Sequence, residues 1–147
     1  MADFSLRPAR EEDLVVIRNI IHRVGINPTG LDWRRFWLAD DEDGTVLGCG
    51  QIKPHSGGVL ELASIAVQPD HQNRGIGTAL IGELLQRGSR PLYLMCRPSL
   101  GSYYERFGFR RLGLREMPSY FRKLRQILLA YEHLSRSPET LLVMKLK

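Results

Sequence analysis

The spacing of apolar residues along the chain switches between two and three-to-four, and the switches divide it into strands and helices. Phe4-Ser-Leu-Arg-Pro reads as a short first strand, after which Glu11-Glu12-Asp13 loads a helix start with negative charge. Leu14, Ile17, Ile21 and Val24 give that helix a buried stripe, and the stretch from Gly25 to Gly30 interrupts it. Trp33 to Ala39 and Thr45 to Ile52 flank Asp40-Asp-Glu-Asp-Gly44, a hairpin signal with an acidic, solvated tip. A Ser-Gly-Gly turn at 56 to 58 leads into a strand over 59–68. A helix over 75–87 follows, with Ile76, Leu80, Ile81, Leu84 and Leu85 on one side. A strand over 91–97, a short helix near 99–107 and a strand over 109–113 come next. Pro118 to Ser135 then carries Phe121, Leu124, Leu128, Tyr131 and Leu134 at helical spacing, and Thr140 to Leu146 reads as the final strand. Together these elements imply a mixed α/β sheet with helices on both faces.

At 147 residues and 43% hydrophobic, the chain is expected to form a single domain over 1–147 with its own core. No apolar stretch approaches the roughly 20 residues that span a bilayer. Met-Ala-Asp-Phe-Ser-Leu-Arg lacks the basic head and apolar segment of a signal peptide, so a cytoplasmic, soluble protein without membrane partners is expected. Cys49 and Cys96 lie far apart in strand-like runs and read as buried, reduced thiols. His22, His55, His71 and His133 are scattered, which gives a metal site no support.

The net charge of +5 conceals an uneven distribution: residues 71–125 hold 11 Lys/Arg against 3 Asp/Glu, whereas residues 1–70 hold 7 against 11. A basic segment fits an anionic ligand or a solvated face. Nucleic acid is not the expected partner, because neither a recognition helix nor interleaved stacking aromatics is evident.

Inside the basic segment, Leu60-Glu-Leu-Ala-Ser-Ile-Ala-Val67 is followed by Gln-Pro-Asp-His-Gln-Asn-Arg-Gly-Ile-Gly77 and the start of a helix. A loop with glycines at a helix mouth turns backbone N–H groups toward one anion, and the helix dipole adds positive potential. The P-loop requires Gly-Lys-Ser/Thr and the dinucleotide fingerprint a third glycine with a downstream acid; this chain has neither. Gln72-x-x-Gly75-x-Gly77 instead resembles the Arg/Gln-x-x-Gly-x-Gly/Ala signature of the GNAT superfamily of acyl-coenzyme-A-dependent N-acetyltransferases. Ser64-Ile-Ala-Val-Gln-Pro69 resembles that family's fourth strand, and Ser99 to Phe109, ending Tyr-Tyr-Glu-Arg-Phe-Gly-Phe, its tyrosine-bearing helix. The similarity covers about residues 4–112.

The resemblance implies a central mixed, mostly antiparallel sheet with helices on both faces, splayed between the fourth and fifth strands, and acetyl-CoA as acyl donor. It implies that Gln72, Asn73, Arg74, Gly75, Ile76, Gly77 and Thr78 bind the coenzyme phosphates, while Ile65, Ala66 and Val67 offer backbone to the pantetheine arm and the thioester oxygen. Tyr104, four residues before Gly108, matches the tyrosine that protonates the leaving thiolate in many relatives. Tyr103 competes for that role, and either residue could simply be a buried aromatic. Glu61, six residues before Val67, stands where some members carry a catalytic glutamate. By plain alternation it shares a strand face with Ala63, Ile65 and Val67, and it suits either taking a proton from an ammonium or a salt bridge to a neighbouring strand.

Two features depart from the family. Arg97 stands where relatives carry asparagine, facing either a phosphate or the acceptor, and a helix over about 118–135 replaces a short hairpin. That helix covers the sheet, and its flanks Glu116, Tyr120, Arg122 and Lys123 are candidates for lining the acceptor site. The expected reaction is transfer of acetyl to a primary amine of a small molecule or peptide by direct attack in a ternary complex. The alternative is a catalytically weak acyl-CoA-binding regulatory module. Dimerisation is common in the family, though no segment here demands a homodimer.

Overall fold

The computed structural model describes residues 3–135 and 141–147, with the side chains of Leu129 and of residues 131–135 outside the description. The side chains of Tyr131 and Leu134, and Thr140 as a whole, therefore fall outside it. Seven strands hydrogen-bond in the order β1-β2-β3-β4-β5-β7-β6: β1 Phe4–Pro8, β2 Phe36–Asp41, β3 Val46–Pro54, β4 Leu60–Val67, β5 Leu92–Cys96, β6 Arg110–Arg111 and β7 Leu142–Leu146. The helices are α1 Leu14–Val24, α2 Ile76–Arg87, α3 Gly101–Glu105 and α4 Ser119–Ser135. The sheet is mixed and mostly antiparallel, with a parallel β4/β5 pairing reduced to Glu61 opposite Tyr93. By compactness the chain divides into two units, residues 1–53 with 62–88, and residues 54–61 with 89–147.

In the first unit, β2 alternates between two cores. Phe36 and Leu38 join Ile17, Ile20, Ile21, Val46, Cys49 and Ala66 beneath α1. Trp37 and Ala39 join Leu47, Ile76, Leu80 and Val67 beneath α2. Period-two alternation puts these groups on opposite faces, so α1 and α2 sandwich the strands. Ile20 belongs to the fully buried stripe of α1, whereas Leu14 and Val24 are only half-buried. The close seat of α2 depends on Gly48 and Gly50 of β3. A Cβ at Gly48 would run into Ala66 O, and one at Gly50 into Ile65 and Leu84.

The β2–β3 tip is more ordered than a solvated acidic turn: Asp41 Oδ1 accepts from the N–H groups of Asp43 and Thr45, both at 2.9 Å. Arg7 of β1 ties this unit together, donating to Asp40 of β2 and, through both terminal nitrogens, to Asp13 at 2.8 and 3.0 Å. Asp13 also accepts from the Arg10 N–H at 2.7 Å, satisfying one of the free donors at the helix start.

In the second unit, β5 pairs with β7 from Leu92↔Leu146 to Cys96↔Leu142, and β7 pairs with β6. The strand expected over 109–113 shortens because Gly113 leads into a tight turn, Leu114–Glu116, whose Glu116 reaches back to the Gly113 N–H at 3.3 Å and takes Arg110 at 2.8 Å. The helix expected near 99–107 is a 3₁₀ turn, Pro98–Leu100, followed by α3. Phe121 at the start of α4 is fully buried among Leu112, Met117 and Val143, with Val59, Tyr93, Met95 and Tyr120 around them. Leu124 and Leu128, further along α4, are half-buried.

The Arg7 guanidinium, more than the cost of burial, holds the Asp13 carboxyl below the usual carboxylate range. A depressed folded-state value contributes stability above the unfolded carboxylate value that is lost as pH falls through the folded one. Asp13→Asn is therefore expected to cost about 1.5–3 kcal/mol at neutral pH. Urea denaturation across pH should show the wild type, but not the variant, losing this contribution below about pH 4.

Candidate functional site

In the first unit the relevant backbone runs from β4 through its loop into α2. Ser64, in the middle of β4, has a left-handed backbone (φ 60°). Such a residue survives only where its surroundings hold it, and β3 does so. Gln51 Nε2 donates to Ser64 Oγ at 2.9 Å and to Gly30 O at 3.2 Å, while Cys49 Sγ donates to Ser64 O at 3.5 Å. The left-handed residue thus interrupts the regular extended conformation of β4 between Glu61 and Ile65. Among the described residues Gln51 Oε1 is buried without a partner, and the nearly buried Lys53 donates to Thr29 O at 2.9 Å. β3 thereby fixes the segment that connects α1 to β2.

After β4 the chain makes a 3₁₀ turn, Pro69–His71, and climbs to α2. Gln72 Nε2 donates to Val67 O at 3.2 Å, closing the loop on the strand end. Arg74 is engaged on both sides, by His71 Nδ1 at 2.8 Å and Asp3 Oδ2 at 3.3 Å. Asn73 and Gly75 are left-handed, at φ 65° and 82°. Gly75 caps α2 with no side-chain hydrogen bond, no acid stands in the first turn, and nothing lies within 4 Å of where a Cβ on Gly75 would be. The first N–H groups of a helix have no partner within it. The start of α2 is also the positive end of its dipole, an arrangement suited to an anion. Ile76 is buried in the core, and Gly77 and Thr78 occupy the first turn. Residues 72–78 thus form a glycine-entered loop at a helix start, with Gln72 tying it to the end of β4 and Arg74 held by His71 and Asp3.

In the second unit Glu61 does not form a salt bridge to a strand lysine or arginine. Its Oε1 meets His55 Nε2 at 2.7 Å, with the two side chains 12% and 8% exposed. The His55 N–H donates to Val59 O at 2.8 Å across the turn at Ser56–Gly58, which brings residue 55 back beside 61. Tyr120 stacks on the imidazole at 3.6 Å and 17°, with Phe121 against the ring edge. Burial, and then the nearby Glu61 charge, push the Tyr120 phenol up. Of the residues flanking the inserted helix, Tyr120 reaches this cluster, whereas Glu116 pairs with Arg110 and Arg122 donates to Met117 O.

The sequence alone did not single out His55. The available signal was its place immediately after β3, across a Gly-Gly turn from an acid.

Tyr104 is buried against Tyr103 and Phe109. Its phenol is pushed above the ordinary value by burial, with smaller contributions from Cys96 and Tyr103, so it keeps its proton through neutral pH. Tyr103 is half-buried on the same helix, beneath the Arg106 guanidinium. Arg97 is exposed at the start of the turn into α3. Among the described residues no group of three or more His, Cys, Asp or Glu could hold a metal ion, and no helix is long and apolar enough to cross a membrane.

The family described as acetyltransferase (GNAT) domain matches residues 32–111. An uncharacterised protein of Mycobacterium leprae (strain TN) is 42% identical over 65 residues, which cover 42% of this chain and 18% of that protein. N-acetylglutamate synthase from Neisseria gonorrhoeae, solved with coenzyme A and L-arginine, superposes with a TM-score of 0.73 at 22% identity, over 99% of this chain and 34% of its own. A Mycobacterium tuberculosis protein solved with CoA and NLQ superposes with a TM-score of 0.70 at 21% identity, over 95% of this chain and 97% of its own. The chain therefore spans well under half the length of the first two, and at these identities the two structures establish the fold.

Burial pushes the Cys49 thiol up to about 12 and the Cys96 thiol up to about 11, the latter against a smaller opposing pull from Arg111. Since the thiolate is the nucleophile, iodoacetamide at pH 8 should leave the native chain unmodified and alkylate both cysteines after unfolding in urea. An adduct on the native chain by intact-mass analysis would contradict the burial of these thiols.

Proposed function

The chain belongs to the GNAT acetyltransferase family, and from that premise we propose that it moves an acetyl group from acetyl-CoA to a primary amine by direct attack in a ternary complex. The observation that carries this reading is the glycine entry into α2: Gly75 is left-handed, nothing lies within 4 Å of where its Cβ would be, and no acid stands in the first turn of the helix. Coenzyme A in the two superposed solved structures supports the same donor. In this reading the whole chain acts as one catalytic module, and its acceptor is the amine of a small molecule or a peptide.

Acyl transfer makes three demands: a neutral attacking amine, a stabilised carbonyl oxygen and a protonated leaving thiolate. The N–H groups at the start of α2 hold the pyrophosphate, with Gln72, Asn73 and Arg74 setting the loop's shape and Ile76, Gly77 and Thr78 forming the helix turn beneath it. The backbone of Ile65, Ala66 and Val67 meets the pantetheine arm, and one of its N–H groups meets the thioester oxygen. Glu61 is the base that neutralises the acceptor. Tyr104 supplies the proton to the thiolate, and its burial keeps that proton in place until the thiolate appears.

Thiol release from acetyl-CoA with a panel of primary amines tests the reading. Wild-type protein should release thiol with at least one amine, and Tyr104→Phe should lower kcat by about 10²-fold or more while leaving acetyl-CoA binding intact. A thermal shift with acetyl-CoA but no release with any amine would leave a coenzyme-binding module without turnover.

A further inference from the structure

We propose that His55 and Glu61 act as one proton-accepting dyad, in which the carboxylate fixes the imidazole tautomer and His55 ends the step carrying the proton taken from the acceptor amine. The inference rests on the reading of Glu61 as part of the base and changes which group holds the proton.

The geometry carries it in three steps. A carboxylate is an acceptor only, so at 2.7 Å from Glu61 Oε1 the hydrogen sits on His55 Nε2 and the lone pair on Nδ1. Among the described residues Nδ1 has no hydrogen-bond partner, which leaves that lone pair free to take a proton. The ring is also held in place: Tyr120 stacks on its face at 3.6 Å and Phe121 meets its edge with centroids 6.0 Å apart. A fixed base needs no reorientation when substrate arrives.

The protonated state is also provided for. An imidazolium formed at His55 lies between the Glu61 carboxylate and the π-face of Tyr120, both of which favour a cation. A carboxylate this little exposed, left without a partner, is costly. The other titratable groups facing the pair are Tyr120 from α4, Tyr93 from β5 opposite Glu61, and Lys145 from β7, which lies over the Tyr93 ring at 5.5 Å. Burial raises the Tyr120 phenol, which therefore remains neutral beside the carboxylate.

In the reaction the amine nitrogen forms the new N–C bond and the C–S electrons leave with sulfur. The amine proton passes to the dyad and leaves as imidazolium N–H, while Tyr104 protonates the sulfur. His55 then releases its proton to water and Tyr104 regains one, so that amide and thiol are the net products. Tyr120 is a positioning residue in this scheme, and the inserted α4 is the element that supplies it.

The test compares wild type, His55→Gln, Glu61→Gln and the double variant in pH–rate profiles of acetyl transfer to the best amine of the panel. It is joined by ¹⁵N NMR of histidine-labelled wild type and Glu61→Gln. His55→Gln should lower kcat by about 10²-fold, abolish the acid limb of the profile and leave acetyl-CoA binding unchanged. The double variant should be no slower than either single one, because the residues act as a unit. The His55 resonances should report hydrogen on Nε2, and Glu61→Gln should redistribute it. An unchanged profile in His55→Gln, additive losses in the double variant, or hydrogen on Nδ1 in wild type would overturn the dyad. Should His55→Gln fail to fold, the wild-type tautomer decides. Absence of thiol release from wild type with every amine defeats the acetyltransferase reading itself, whereas normal turnover with an unaffected His55→Gln profile defeats only the dyad.

Discussion

The left-handed turn at Ser64 is the constraint on which the first unit depends. A non-glycine residue in that conformation costs about 1–3 kcal/mol, and one inside a strand also interrupts its regular extended conformation. Two β3 side chains, Gln51 and Cys49, hold it with hydrogen bonds to Oγ and to the carbonyl. Gln51 does so while leaving its own Oε1 buried and, among the described residues, unpartnered, which costs a further ~1–3 kcal/mol. The same strand carries Gly48 and Gly50, which admit α2 to close contact. Strain, an unsatisfied acceptor and two missing side chains therefore meet on β3. Together they fix where β4 goes after Ser64 and where α2 begins. The glycines serve packing, whereas the strain at Ser64 and the unsatisfied Gln51 acceptor are local costs that the rest of the unit must offset.

The second unit solves a different problem: keeping a carboxylate nearly out of water. Burying Glu61 alone would be prohibitive, and a lysine or arginine partner would neutralise it as a base. The imidazole partner satisfies one carboxylate oxygen, with His55 Nε2 at 2.7 Å from Glu61 Oε1. What makes the imidazole stay is the inserted segment, whose Tyr120 and Phe121 enclose the ring from face and edge. The long connection before the last strand thus does more than cover apolar surface. Its first turn completes the environment of the acid in β4.

Much of the architecture was legible in the spacing of apolar residues, because each of its long elements buries a continuous face. The stripe at Ile76, Leu80, Ile81 and Leu84 gives α2 within a residue of its observed limits, and the Phe121–Leu124–Leu128 spacing gives α4 likewise. Short elements were less legible, since capping and turn chemistry decide them. Glu116 truncates the strand after Phe109 by bonding back to Gly113, a local contact that no periodicity reports. The left-handed residue in β4 was hidden for the same reason, because nothing in Ser64 itself announces a positive φ. The Glu61–His55 contact was hidden because it joins a strand to the foot of a hairpin turn. Its ring partner comes from a helix 65 residues further along the chain.

The donor side and the proton chemistry differ in legibility for a physical reason. Recognition through backbone N–H groups requires only that side chains be absent and φ be positive, and both demands are written locally as glycine spacing. The internal engagements of Gln72 and Arg74 strengthen this point, because the two most polar side chains of the loop hold the loop itself. A loop of that kind reads the phosphates common to every acyl-CoA and is indifferent to the acceptor. Proton transfer depends instead on side chains whose protonation is set by neighbours, and here those neighbours come from a turn, a strand and an inserted helix. In the proposed reading the acceptor is therefore met by residues that the glycine signature does not contain, where α4 meets the Glu61–His55 pair.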